Sequence, residues 1–100
     1  MRSNKSRKRR IRKLPRSISF NPYGIPLTGT DSINLMMGEL EAMHLVDLVG
    51  LKQEEAAKEI GISRKTLWKD LKSARRKVTD ALLNGKKITI DMRNYELRSS

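Results

Sequence analysis

The sequence predicts a mainly α domain of three helices, in which the last two helices form a helix-turn-helix. A basic N-terminal arm and a short two-stranded β element complete the predicted architecture. Apolar residues recur with a helical period through the middle of the chain, and the two ends lack that period. The chain has 100 residues, which is the size of one compact domain with tails. Hydrophobic residues make up 37% of the chain, which is enough for a modest helical core.

The chain divides into four segments. Residues 1–16 form a basic arm, residues 17–37 an extended segment, residues 38–86 the helix-turn-helix domain, and residues 87–100 a short strand with a C-terminal tail. The arm has no apolar period, so we expect it to be disordered and to contribute nothing to the core. Pro22 and Pro26 exclude a helix in the second segment.

The two strands of the predicted β element lie far apart in the chain. Ile88, Ile90 and Met92 alternate with polar residues, as in a short strand. A single strand needs a partner, and Ile18 to Phe20 is the strand-like stretch that could supply one.

Three helices are predicted in the central segment. The first begins near Met37 and ends at Gly50, with Leu48 and Val49 on its apolar face and Glu39, Glu41 and Asp47 outside that face. The second runs from Gln53 to Ile60 and should end at Gly61 as a left-handed C-cap. The third is a long helix with Ser63 as its N-cap. Its apolar stripe comprises Leu67, Leu71, Ala74, Val78 and Leu82.

The segment QEEAAKEIGISRKTLWKDL, Gln53 to Leu71, has the spacing of a helix-turn-helix. Such a motif needs a small residue where the helices approach each other and a glycine in the turn, and Ala57 and Gly61 supply them. The alternative is an ordinary helical hairpin. The basic outer face of the third helix favours DNA binding, with Ser63 to Leu83 as the recognition helix in the major groove.

Residues at the start of a recognition helix reach base edges, and those further along meet phosphates. Trp68 either covers a thymine methyl group, packs on a sugar, or is a partly buried aromatic residue that closes the core beside the first helix. The predicted contacts with duplex DNA are Ser63, Arg64, Lys65, Thr66, Trp68, Lys69, Lys72, Arg75 and Arg76. Further contacts are expected from the arm, at Arg7, Lys8, Arg9, Arg10, Arg12 and Lys13.

The formal net charge is +11, and the basic residues cluster in two blocks, the arm and the third helix. Such blocks favour a polyanionic partner. The chain has no cysteine, its single histidine is His44, and no phosphate-binding glycine loop or base–nucleophile pair is present. We therefore expect no enzyme activity, no metal and no cofactor. No apolar run could span a bilayer, so we expect no membrane partner and a soluble, cytoplasmic protein.

Two stretches resemble known families. Phe20 to Leu27 (FNPYGIPL), together with Gly38 to Ile90, resembles a family of small prokaryotic proteins of unknown function, uncharacterised protein family 0251 with domain of unknown function 134. The stretch LVGLKQEEAAKEIGISRKTLWKDLKSARRKV also resembles the region-four helix-turn-helix of bacterial sigma factors. Both resemblances imply a helical domain that binds duplex DNA. We expect the protein to be a transcriptional regulator. No segment resembles sigma region two, so promoter melting is not implied.

Other partners remain open at this point. The arginine-rich arm is also typical of RNA-binding or ribosome-associated proteins. A module that contacts RNA polymerase is a third alternative. A homodimer would allow two half-sites to be read, through the strand Lys87 to Met92 or the helix end Val78 to Leu83.

Overall fold

A computed structural model describes residues 9–16, 18–24, 31–93 and 95–97, the last three by their backbone alone. Three α-helices and a small sheet make this part of the chain mainly α, as predicted. The elements in chain order are β1 (Arg9–Ile11), β2 (Ser19–Phe20), β3 (Ser32–Met36), α1 (Met37–Met43), a π-helical segment (His44–Val49), α2 (Gln53–Ile60), α3 (Arg64–Asn84), β4 (Lys87–Asp91) and β5 (Tyr95–Leu97).

The sheet has three strands in the order β2-β4-β3. The predicted pairing of the two distant strands is confirmed, because Ser19 pairs with Thr89 and Phe20 with Ile88 in antiparallel register. The sequence did not predict β3, which runs parallel to β4 over five residues, from Ser32 opposite Lys87 to Met36 opposite Asp91. A separate parallel pair joins β1 to β5.

The central place of β4 changes one expectation about assembly. The strand Lys87 to Met92 was expected to offer an edge to a second copy of the chain. Instead, β4 is hydrogen-bonded to β3 on one side and to β2 on the other. Of the two predicted dimer surfaces, the end of α3 is the one that stays exposed, since Leu82 and Leu83 are 76% and 80% accessible.

The first helix differs from its predicted apolar face. Glu39 and Glu41, expected outside this face, are buried, while Leu48 and Val49 are exposed. Glu39 accepts hydrogen bonds from the Met36 backbone N–H, the Ser73 hydroxyl and Lys77 Nζ. Glu41 accepts one from the Arg12 backbone N–H and lies 2.9 Å from His44 Nδ1. Buried carboxylates are tolerated when they are bonded in this way.

The inner side of α3 also departs from the predicted stripe near its end. Leu67, Leu71 and Ala74 are completely buried, as predicted. Beyond them Ala81 is buried and Leu82 is exposed. The seven-residue step from Ala74 to Ala81 is closer to two whole turns of an α-helix than the eight-residue step to Leu82, so Ala81 keeps the inward direction.

The described residues form two core clusters. The larger lies between α1, the π-helical segment, α2 and α3, and contains Ala42, Leu45, Ala56, Ala57, Ile60, Leu67 and Leu71. The smaller consists of Ile11, Met37 and Ile90 and joins β1, α1 and β4. Ile11 corrects our expectation that residues 1–16 contribute nothing to the core, because its side chain is 0% exposed. Within the arm that was expected to be disordered, residues 9–11 instead form β1, and residues 1–8 lie outside the described part of the chain.

Candidate nucleic-acid interface

The helices α2 and α3 are joined by a three-residue turn, Gly61 to Ser63. Gly61 has φ +85°, in the left-handed region that suits glycine, and its N–H donates to the Ala57 carbonyl at 2.9 Å. Ser63 caps α3, since its hydroxyl accepts from the Thr66 N–H at 3.1 Å. Both helix boundaries therefore agree with the sequence prediction. Ala57, Ile60 and Leu67 fill the corner between the two helices.

The outer side of α3 carries a row of cations. Positions 64, 65, 68, 69 and 72 share one side of the helix, because residues four apart lie one turn above each other. Every one of these side chains is exposed. The cations of this row make no hydrogen bond or ion pair with any other residue that the structure describes. We call this row the α3 face, consisting of Arg64, Lys65, Trp68, Lys69 and Lys72.

Trp68 is 43% exposed, so its ring is neither fully buried nor fully presented to solvent. It lines a shallow depression together with Gln53 at the start of α2 and with Arg64 and Lys65 at the start of α3. The depression lies between the first turns of the two helices.

The remaining predicted DNA contacts of α3 differ in whether their side chains already have hydrogen-bond partners. The guanidinium of Arg75 is bonded to Asp47 of the π-helical segment, with Nη2 at 2.6 Å from Oδ1, and this hydrogen bond lowers the pKa of the Asp47 carboxyl. Arg76 is exposed and makes no hydrogen bond or ion pair with a described residue. The Ser63 hydroxyl donates to Thr66 Oγ1 at 2.9 Å, so both hydroxyls are engaged at the helix start.

Three of the predicted arm cations contact the helices. Arg9 bonds to Asp70 of α3, with Nη2 at 3.1 Å from Oδ2. Arg10 Nη2 donates to the Lys58 carbonyl of α2 at 2.9 Å. Arg12 Nη2 lies 2.6 and 2.7 Å from the two carboxylate oxygens of Glu59. These arginines attach β1 and the residue that follows it to α2 and α3. Lys13 is exposed, and Arg7 and Lys8 lie outside the described residues.

Asp70 lies away from the α3 face, on the side of α3 that Arg9 of β1 contacts. Burial raises the pKa of its carboxyl above the ordinary value, although the Arg9 guanidinium acts in the opposite direction through charge and a hydrogen bond. Asp80 is bonded to Lys86 Nζ at 2.9 Å. Both aspartates are thus held in ion pairs with basic residues.

Two kinds of feature are absent from the described residues. No group of three or more histidine, cysteine, aspartate or glutamate side chains is placed to hold a metal ion. Within the same part of the chain, no helix is long and apolar enough to cross a membrane.

Comparison with known proteins gives consistent matches. A family model described as "Protein of unknown function DUF134" matches residues 1–98. A UPF0251 protein of Methanocella arvoryzae is 51% identical over 88 residues, which cover 88% of this chain and 53% of the relative. One from Methanosarcina acetivorans is 49% identical over 87% of this chain and 78% of its own length. A third, from Thermoanaerobacter pseudethanolicus, is 44% identical over 87% of this chain and 74% of the relative. The chain thus spans about half of the Methanocella relative and more of the other two. No solved structure matches it.

Proposed function

The chain belongs to the family described as protein of unknown function DUF134, and we propose that it binds duplex DNA sequence-specifically, as a transcriptional regulator, through a helix-turn-helix made of α2 and α3. The α3 face is the observation that carries this proposal. Its cations are exposed and unpaired among the described residues, while Leu67, Leu71 and Ala74 on the opposite side of the same helix are completely buried. A major groove about 12 Å wide admits one α-helix, and a cationic outer side suits its phosphate walls.

The residues of α3 then have two kinds of role. Arg64, Lys65, Trp68 and Lys69, in the first two turns, face base edges, where arginine and lysine donate to guanine and an indole packs on a thymine methyl group. Lys72 and Arg76 meet phosphates and add affinity without reading sequence. Arg75 takes part only if its ion pair with Asp47 opens, which costs little because both side chains are exposed.

Three arginines of the arm are already bonded within the chain, so the proposal assigns DNA binding mainly to α3. Arg9, Arg10 and Arg12 each donate to a group of α2 or α3. In this proposal they hold the two helices in position, and they do not reach for phosphates. The α3 face then supplies most of the affinity for DNA.

The proposal is tested by selecting bound sequences from a random duplex pool with the full chain, followed by anisotropy titrations of the selected duplex at several salt concentrations. We expect an enriched motif and a steep fall of affinity with salt. Lys72→Ala should weaken binding to all duplexes alike and reduce the log–log salt slope by about one, since one phosphate contact is lost. Arg64→Ala should weaken binding to the selected duplex by about 1–3 kcal/mol and binding to unrelated duplexes less.

Lys87→Ala is the matched control, because it removes the same charge from β4, outside the α3 face. It should leave affinity and salt slope near their wild-type values. A salt slope near zero, or equal effects of Lys72→Ala and Lys87→Ala, would contradict the proposal. Preference for structured RNA in a direct competition would favour the RNA-binding alternative instead, because the major groove of A-form RNA is too narrow to admit α3.

A further inference from the structure

A second concave site lies away from the α3 face. A cavity of about 480 Å³ opens between the segment that follows β1 and the surface of α1 and the π-helical segment. This volume lies within the range of roughly 300–1,000 Å³ typical of small-molecule pockets. Its apolar wall is formed by Leu14, Pro15, Met37, Leu40, Met43 and Leu48.

The described residues leave this apolar wall partly open to solvent. Leu48 is 80% exposed and Leu14 is 38% exposed, whereas Leu45, one turn before Leu48 in the sequence, is completely buried in the core. Two large apolar side chains on facing walls of one cavity lose contact with water only when something apolar lies between them. The cavity can therefore take the apolar body of a ligand without rearranging the core.

The carboxylates that line the cavity have hydrogen-bond partners, whereas the cations that line it have none among the described residues. The two carboxylates in its lining are already satisfied, since Glu41 is bonded to the Arg12 N–H and His44, and Asp47 to Arg75. The two cations, Lys13 and Arg16, line the same cavity and make no hydrogen bond or ion pair with a described residue. The available charge at the rim is positive, so an anionic group is the complementary one.

We propose that this cavity binds a small amphipathic anion, an organic acid with an apolar aliphatic or aromatic body. The body lies against Leu40, Met43 and Leu48, and the anionic head meets Arg16 and Lys13 at the rim. The cavity shares no residue with the α3 face. Ligand binding and DNA binding are therefore tested separately, and the failure of one leaves the other standing.

The experiment uses the full chain and two probes. Anilinonaphthalene sulfonate, a fluorescent aromatic anion, should bind at one saturable site, and decanoate should displace it. Decanol, which has the same alkyl chain and no charge, should displace it at least about tenfold less well, because it lacks the ion pair with the rim. Arg16→Gln should weaken the binding of decanoate and leave the binding of decanol unchanged.

Leu48→Asp places a carboxylate in the apolar wall and should weaken both anionic probes about tenfold or more, through repulsion and desolvation. Leu83→Asp is the matched control, because Leu83 has the same 80% exposure and does not line the cavity. Urea unfolding of both variants verifies that they are folded. Equal displacement by decanoate and decanol, or wild-type binding by Leu48→Asp, would overturn the proposal. So would sedimentation that finds a dimer dissociated by Leu48→Asp, since a second copy would then be the occupant.

Discussion

At the scale of single residues, the ion pair of Arg9 with Asp70 joins two positions that are 61 residues apart. Both side chains are partly buried, with 26% and 18% of their surface exposed. A carboxylate in such a place is costly when it is unpaired, and Arg9 offsets part of that cost. The pair therefore stabilises the attachment of β1 to α3 mainly by avoiding an isolated buried charge.

Replacing Arg9 should change the titration of Asp70 in a defined direction. The pKa of Asp70 is already raised by burial and is lowered in part by Arg9. Arg9→Gln removes the opposing charge, so we expect the pKa of Asp70 to rise further in an NMR titration of its carboxyl carbon. Arg10→Gln is the control, because Arg10 donates to a backbone carbonyl and not to Asp70. A lower or unchanged Asp70 pKa in Arg9→Gln would show that the two groups do not interact.

The same variant predicts a pH dependence of stability. A carboxyl whose pKa is raised on folding favours the folded state when it is protonated, below its ordinary pKa, and this advantage is lost as the pH rises through the raised value. In Arg9→Gln that loss extends to higher pH. We expect the difference in free energy of unfolding between the wild type and Arg9→Gln to grow with pH above the ordinary aspartate range, as measured by urea unfolding.

At the scale of elements, the turn between α2 and α3 depends on Gly61. Gly50, which ends the π-helical segment with φ +93°, offers a matched comparison. A Cβ at Gly50 would meet no atom within 4 Å, whereas one at Gly61 would lie 3.0 Å from Arg10 Nε. Gly61→Ala and Gly50→Ala should each cost about 1–2 kcal/mol from the left-handed backbone.

The two glycine variants should differ in a second respect. Gly61→Ala also displaces the guanidinium of Arg10 from the Lys58 carbonyl, which removes an exposed hydrogen bond. We expect it to weaken DNA binding, because the angle between α2 and α3 is then less well fixed, while Gly50→Ala leaves DNA binding unchanged. Thermal unfolding and anisotropy titrations of both variants measure this. Equal losses of DNA affinity would mean that the turn has no special role.

Local patterns were enough to predict some elements and not others. The bounds of α2 and α3 follow from caps and periodicity within a few residues of each boundary, and the exposed side of α3 follows from its buried stripe. By contrast, β1 has one apolar residue, Ile11, between arginines, and no period marks it as buried. β3 does alternate, with Ile33 and Leu35 separated by Asn34, but its strand partner is not local, since its parallel pairing with β4 joins residues more than 50 positions apart. Contacts of this kind depend on the tertiary arrangement and leave little trace in a short window of sequence.

In the candidate site, too, the features that depend on local spacing were predicted and the contacts between distant residues were not. The α3 face was predicted correctly as exposed because its members repeat at helical spacing. The partners of Arg9, Arg10, Arg12 and Arg75 were not predicted, since each partner lies 28 or more positions away. The cavity beside Leu48 was also missed, because it forms only when residues 13–16 lie against α1.

At the scale of the whole molecule, Ile11 links three elements, since it packs with Met37 of α1 and Ile90 of β4. Ile11→Ala should lower the free energy of unfolding by about 2–5 kcal/mol, as expected for a large core side chain. Ile18→Ala is the control, because Ile18 is 55% exposed, and a surface change of this kind should stay within about 0.5 kcal/mol. Urea unfolding measures both.

The burial of Ile11 also changes what we expect from truncation of the N-terminal arm. From the sequence, removal of residues 1–13 should leave the fold intact. Since that deletion removes Ile11 together with the bonds of Arg9 and Arg12, we now expect it to destabilise the protein at least as much as Ile11→Ala. An unchanged unfolding midpoint in the truncated chain would mean that β1 contributes nothing to stability.

The parallel pairing of the outer strands determines how the molecule should resist a mechanical load. β1 lies beside β5, and β3 lies beside β4, so in each pair the earlier and the later strand run in the same direction. A pull on the two chain ends loads the hydrogen bonds between such strands along the strand axis, and the bonds of a ladder must then break together. The helices of the described residues lie between β3 and β4 along the chain and stay shielded until that ladder slips. In single-molecule stretching, we expect extension to begin with one abrupt event and not with gradual unwinding of the helices.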